Sequence, residues 1–142
     1  MTVTPTRRKP VVLIAAVAVV VAGVLAWLWW PSSESGPTVL DASTGSHNVR
    51  LSIDSPKAGE NTVSLTITDL HGRAAPLDEV TVEPVMPQMG HALVPVPAIA
   101  TGDGAFRAAP TVLPMTGQWE ITVTMRGGGG QDQVVFPLLV RN

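Results

Sequence analysis

Cysteine is absent from all 142 residues. That excludes disulfides, thiolate nucleophiles and cysteine-held zinc. A domain exported without disulfides must hold itself by core packing, or with help from a ligand. Catalytic signatures are also missing. There is no Gly-x-Ser-x-Gly elbow, phosphate loop or dinucleotide fingerprint. Gly127 to Gly130 lacks the Lys, the Ser/Thr and the following helix that a phosphate cradle needs, and reads as a hairpin loop. The carboxylates are scattered, and Asp78-Glu79 reads as a solvated face. These absences describe a non-enzyme. Positive charge is scarce beyond residue 30: six Lys and Arg face eleven Asp and Glu, a net −5. Such a balance argues against nucleic acid and against docking on anionic lipid.

What is present begins with one long apolar run. Val11 to Trp30 is 20 residues without a charge or a proline. As a helix it would be roughly 30 Å long, the hydrocarbon thickness of a bilayer. Arg7, Arg8 and Lys9 precede it, and the next Lys or Arg is Arg50. That asymmetry predicts a single-pass transmembrane helix with its N-terminus in the cytoplasm. Trp27, Trp29 and Trp30 close the run at the expected interface. A cleaved signal peptide shares the charged start, but its apolar core runs to about 15 residues and ends in small residues. Here the exit reads Trp-Leu-Trp-Trp-Pro, which favours an uncleaved anchor. Either way the remainder is sent outside the membrane.

Residues 1–10 are then a cytoplasmic basic N-terminus and 11–30 the transmembrane helix. Residues 31–46, rich in Ser, Gly, Pro and Thr, read as a flexible tether. Residues 47–142 form one domain, and their pattern has period two. Val49, Leu51 and Ile53 alternate with polar residues, as do Val63, Leu65 and Ile67. Val80 and Val82 begin a third strand. Trp119, Ile121, Val123 and Met125 form another, and Phe136, Leu138 and Val140 the last. Each run matches a half-buried strand. Between His91 and Pro114 the prolines Pro95, Pro97, Pro110 and Pro114 reduce the expectation to loops and edge strands, with one short strand at Ala105 to Ala109. The fold class is all-β, an immunoglobulin-like antiparallel β-sandwich behind a membrane helix.

One segment carries chemistry. Met86-Pro87-Gln88-Met89-Gly90-His91 puts two thioethers and an imidazole within six residues, and Pro87 and Gly90 bend the chain so that they can converge. Thioether sulfur is soft and uncharged, suited to monovalent copper and poor for magnesium, calcium or zinc. The plain alternative is that Met86 fills the core, since it shares parity with Val80 and Val82. His47 and His71 match no ligand position and read as surface residues.

These residues resemble a family. Met86 to His91, then Gly102-Asp103-Gly104-Ala105-Phe106, then Leu113-Pro114-Met115-Thr116-Gly117-Gln118-Trp119-Glu120 are similar to the YtkA-like domain, a small extracytoplasmic β-sandwich. Pro56 to Asn61 and Asp69 to Arg73 fit its first strands and turn. The extracytoplasmic part of FixH-type proteins, which assist assembly of copper oxidases, is also similar, and related domains accompany CopC- and CopD-type copper-resistance modules. The resemblance implies copper handling, with Met86, Met89 and His91 as ligands and Met115 as the fourth. It implies a membrane partner such as an oxidase or a copper transporter. A non-metal, immunoglobulin-like interaction or scaffold module remains the alternative, with the Met side chains as packing or contact surface.

Overall fold

The computed structural model describes residues 9–28 and 36–142, with side chains for 17–26 and 36–142. The chain forms two units, Met1–Glu34 and Ser35–Asn142. In the first, helix α1 covers Lys9–Leu28. Residues 17–26, the part whose side chains are described, are exposed throughout. At about 1.5 Å per residue they make half a bilayer's thickness. Among the described residues no helix is long and apolar enough to cross a membrane. Trp29 and Trp30, and the first part of the expected tether, lie outside the described residues.

The second unit is a sandwich of two antiparallel sheets. Its strands are β1 (Thr38–Ser43), β2 (His47–Ile53), β3 (Gly59–Asp69), β4 (Glu79–Met86), β5 (His91–Ala92), β6 (Val96–Pro97), β7 (Ile99–Gly102), β8 (Ala105–Leu113), β9 (Gly117–Gly127) and β10 (Gly130–Val140). The first sheet has the order β1-β2-β3-β8-β7. The second has β10-β9-β4-β5, with β6 also paired to β4. The period-two residues of the sequence meet between the sheets. Leu51, Val63, Ile67, Val82, Leu113, Ile121 and Val123 are completely buried, with Trp119 and Phe136 the largest side chains of the core. Alternation places each set on one face, and burial of that face is what stabilises the strands.

The structure corrects three expectations. The tether is shorter than 31–46, because Thr38–Ser43 is β1 and pairs with β2 from Thr38↔Ile53 to Ser43↔Asn48. Leu40 and Ala42 point partly inward and pack against the core. The domain therefore begins before residue 47. The second correction is β8, which runs nine residues instead of five and passes through Pro110. The register with β3 shifts between Asn61↔Thr111 and Val63↔Ala108. Ala109 and Pro110 thus share a bulge opposite one residue, where a missing N–H breaks no ladder bond. The third is His47, described below.

Prolines elsewhere obey the same rule. Pro84 lies inside β4, yet β6 pairs at Thr81 and Val82 and β5 at Val85 and Met86. Pro84 falls in the gap between them, and its carbonyl accepts from the Leu93 N–H at 2.9 Å. Pro137 sits on β10, an edge strand. Gly128 and Gly129, at φ +62° and +80°, make the two-residue turn of the β9–β10 hairpin, a geometry that needs positive φ at both positions.

Candidate metal centre

The two ends of the sandwich differ. One end is built where Thr38 faces Ile53, Gly59 faces Leu113 and Gly117 faces Val140. The candidate ligands all lie there. Met86 ends β4, and residues Pro87–Met89 form a single 3-10 turn. Gly90 closes it in the left-handed region at φ +64°, its N–H donating to the Pro87 carbonyl at 3.2 Å. The reversal brings His91 opposite Met86 as its antiparallel partner. Antiparallel partners have neighbouring side chains on one face. The bend expected from Pro87 and Gly90 is therefore the bend observed.

Met115 reaches the same end by another route. β8 finishes at Leu113 and β9 starts at Gly117, so Met115 sits in the three-residue crossover between the sheets. Trp119 fixes that crossover, its indole Nε1 donating to the Met115 carbonyl at 3.0 Å. A Cβ on Gly117 would lie 3.3 Å from the Met86 terminal methyl. The Met86 terminal methyl thus lies beside Gly117, the residue where the crossover carrying Met115 meets β9. The four residues differ in exposure. Met86 is 4% exposed and belongs to the core, whereas Met89 and Met115 are 52% and 42% exposed. His91 is exposed as well.

The donor chemistry is selective. Among the described residues no group of three or more His, Cys, Asp and Glu could hold an ion. Three thioethers and one imidazole form a soft, neutral set that suits monovalent copper. In donor chemistry the residues fit such an ion, with Met86 buried and Met89, His91 and Met115 exposed at the same end of the sandwich.

At the opposite end lies a cluster that sequence reasoning missed. His47 Nδ1 is 2.9 Å from Asp132 Oδ2. The Thr44 hydroxyl donates to the same carboxylate oxygen, and the His47 and Ser46 backbone N–H groups donate to Thr44 Oγ1 at 2.9 and 3.2 Å. His47 was expected at the surface but is half-buried and paired. Residues 85 apart in sequence meet here, so no local motif could announce them. The arrangement is not a nucleophile–base pair, because the hydroxyl donates to the carboxylate and not to the imidazole. It ties the β1–β2 turn to β10.

Burial by itself raises the Asp132 pKa, but hydrogen bonds from His47, Thr44 and the Gln133 backbone N–H outweigh it and hold the carboxyl below its usual range. A carboxyl lowered in the folded state contributes stability above its unfolded pKa, which is lost as pH falls through the folded value. Asp132→Asn is therefore expected to lower stability by about 1–2 kcal/mol at neutral pH. Its melting temperature should also decline less than that of the parent on acidification below the carboxylate range. Thermal melts across that range check both.

A family model described as YtkA-like matches residues 42–124. The chain belongs to the YtkA-like family. The match spans β2 to most of β9 and includes every candidate ligand, while β10, which supplies Phe136, Leu138 and Val140 to the core, follows it. No curated protein matches the chain in sequence. Among solved structures, a crystal structure of an engineered protein at 1.98 Å resolution is similar at 19% identity and a TM-score of 0.48. That alignment covers 75% of this chain and 20% of the engineered one. The YtkA-like family and the sandwich suggest a non-catalytic domain.

Proposed function

We propose that this YtkA-like domain is held on the outer face of a cell membrane by its N-terminal helix, and that it binds monovalent copper for transfer to or from a membrane protein. The observation that carries the copper reading is the meeting of two separate segments at one end of the sandwich. The Met86–His91 reversal supplies three donors, and Gly117, where the Met115 crossover meets β9, lies beside the Met86 methyl. Soft donors without thiolates suit a cuprous ion outside the cell, where thiols oxidise. The anchor is supported by the uncharged run from Val11 to Trp30 behind Arg7, Arg8 and Lys9. It is also supported by the exposure of every side chain from 17 to 26. A helix apolar on all sides needs an apolar surrounding.

The test is competition for cuprous ion between the full chain and a chromogenic chelator. Met89→Ala, His91→Ala and Met115→Ala combined are expected to weaken binding by more than about 100-fold, beyond the loss typical of supporting residues alone. All three positions are exposed, so the fold survives. Unchanged competition by the triple variant would refute the site. Met86→Leu conserves volume at a cost under about 1.5 kcal/mol, and weaker binding in that variant separates a ligand from a core filler. One observation favours a second reading, an interaction module: Met86 is as buried as the core residues around it. That reading predicts no effect of Met86→Leu on copper.

A further inference from the structure

Sulfur in the sandwich falls into two classes. Met86 and Met125 are 4% and 1% exposed and belong to the core, whereas Met89 and Met115 are 52% and 42% exposed. The difference follows from where the chain puts them. Met86 ends β4 on its buried parity, and Met125 is the cross-strand partner of the buried Val80. Met89 closes the 3-10 turn, and Met115 lies in the β8–β9 crossover, so neither is held on the inner face of a strand. The backbone of that turn comes within 8 Å of β9, the strand the crossover enters. No other side chain of the sandwich competes for a peroxide. The chain has no cysteine and no tyrosine, and Trp119, the one tryptophan of the sandwich, is 1% exposed.

We propose that Met89 and Met115 form a reversible oxidation site, and that their conversion to sulfoxides releases the cuprous ion. This rests on the copper reading above. The oxidant is hydrogen peroxide. A thioether lone pair attacks one peroxide oxygen, an S–O bond forms and the O–O bond breaks. The other oxygen leaves as water with the two peroxide protons. Sulfur loses two electrons and the peroxide gains them. The return step needs two thiols. They pass two electrons to the sulfoxide and become a disulfide, and the sulfoxide oxygen leaves as water.

The burial pattern makes this oxidation a switch and not simply damage. A sulfoxide presents a hard oxygen donor in place of a soft sulfur, so it is a poor ligand for monovalent copper. Oxidation of the exposed pair removes two of the three thioethers in the candidate set and leaves Met86 and His91. The fold is spared, because side chains that are about half exposed gain a polar oxygen in contact with water. The same oxygen on Met86 or Met125 would be buried in the core without a partner, which is costly. Repair follows the same exposure, since a reductase reaches a sulfoxide only where the side chain is accessible. A domain outside the cytoplasm lies beyond the glutathione pool, and without cysteine it has no thiol of its own to consume peroxide. The exposed thioethers therefore meet the oxidant first, and the site gives up its ion before the core is touched.

The test treats the full metal-free chain, in detergent, with hydrogen peroxide and scores each methionine by peptide mass spectrometry. Sulfoxide is expected at Met89 and Met115 at least about tenfold faster than at Met86 and Met125, in line with exposure. Equal rates at all four overturn the site. Cuprous binding is read by chelator competition before treatment, after it, and after incubation with sulfoxide reductases for both epimers and a dithiol. Oxidation of the exposed pair is expected to weaken binding by more than about tenfold, the least that loss of a supporting residue costs, and reduction to restore it. Met89→Gln with Met115→Gln puts an amide oxygen near the place of each sulfoxide oxygen. That double variant should bind as weakly as the oxidised parent and lose nothing further to peroxide. An oxidised chain or a glutamine variant that competes like the untreated parent overturns the switch and leaves the copper reading standing. A loss that reduction fails to reverse also overturns the switch alone. A parent that does not compete before treatment overturns the copper reading and the switch with it.

Discussion

Trp119→Ala is expected to destabilise the domain by about 3–5 kcal/mol, the range for removing a large buried aromatic. Trp119 is 1% exposed and among the largest side chains of the core. Small domains have a total stability of about 5–15 kcal/mol, so the variant should be largely unfolded at moderate denaturant. Chemical unfolding followed by tryptophan-independent circular dichroism measures it. The same residue also serves the candidate centre. Its indole N–H holds the Met115 carbonyl, and that bond fixes the crossover. Trp119→Phe keeps most of the apolar volume and loses the donor. It should cost less stability than alanine but still weaken cuprous binding by loosening Met115. Unaltered binding in a folded Trp119→Phe variant would detach the crossover from the site.

Gly104→Ala should have the second largest effect, about 2–4 kcal/mol from steric overpacking and a left-handed backbone together. Gly104 sits at φ +69°, and a Cβ there would meet the Ile67 carbonyl oxygen at 2.7 Å. That neighbour is backbone of β3, so it cannot swing aside. The Gly104 carbonyl accepts from the Ile67 N–H at 2.7 Å, so any shift of the turn also strains this bond. Ile67 is fully buried, which passes the disturbance to the core. Gly90→Ala makes a useful contrast, because its φ is similarly positive at +64° but no atom lies within 4 Å of an added Cβ. It should cost only the backbone part, about 1–2 kcal/mol. Equal losses at the two positions would show that the Ile67 contact does not matter.

How much of this was readable beforehand depends on whether the signal was local. Val63, Leu65 and Ile67 alternate strictly, and so do Trp119 to Met125, because each strand buries one face. Those strands were legible. β1 was not, because Leu40 and Ala42 are only half-buried and the surrounding Ser, Gly and Pro dominate the composition. β8 was cut short at Pro110, because a bulge that tolerates proline depends on its partner strand and not on its own residues. β5 and β6 are two residues each, too short to carry a period. The site divides in the same way. The Met86–His91 reversal was legible from Pro87 and Gly90, since a hairpin is a local structure. Met115 was placed by resemblance alone, and its contact route through Gly117 is visible only in three dimensions. The Thr44, His47 and Asp132 cluster left no trace in sequence, being assembled entirely by the meeting of the two sheets.

On the proposed reading, the thioethers of Met86, Met89 and Met115 and the imidazole of His91 hold a cuprous ion. X-ray absorption at the copper edge of the full chain loaded with one equivalent of cuprous ion tests it most directly. Sulfur scatterers are expected at about 2.3 Å and a nitrogen at about 2.0 Å, by analogy with metal–sulfur and metal–imidazole bonds of comparable ions. The sulfur shell should shrink in the Met89→Ala, Met115→Ala double variant. A spectrum with light-atom scatterers only, or a sulfur shell unchanged by that variant, would contradict it.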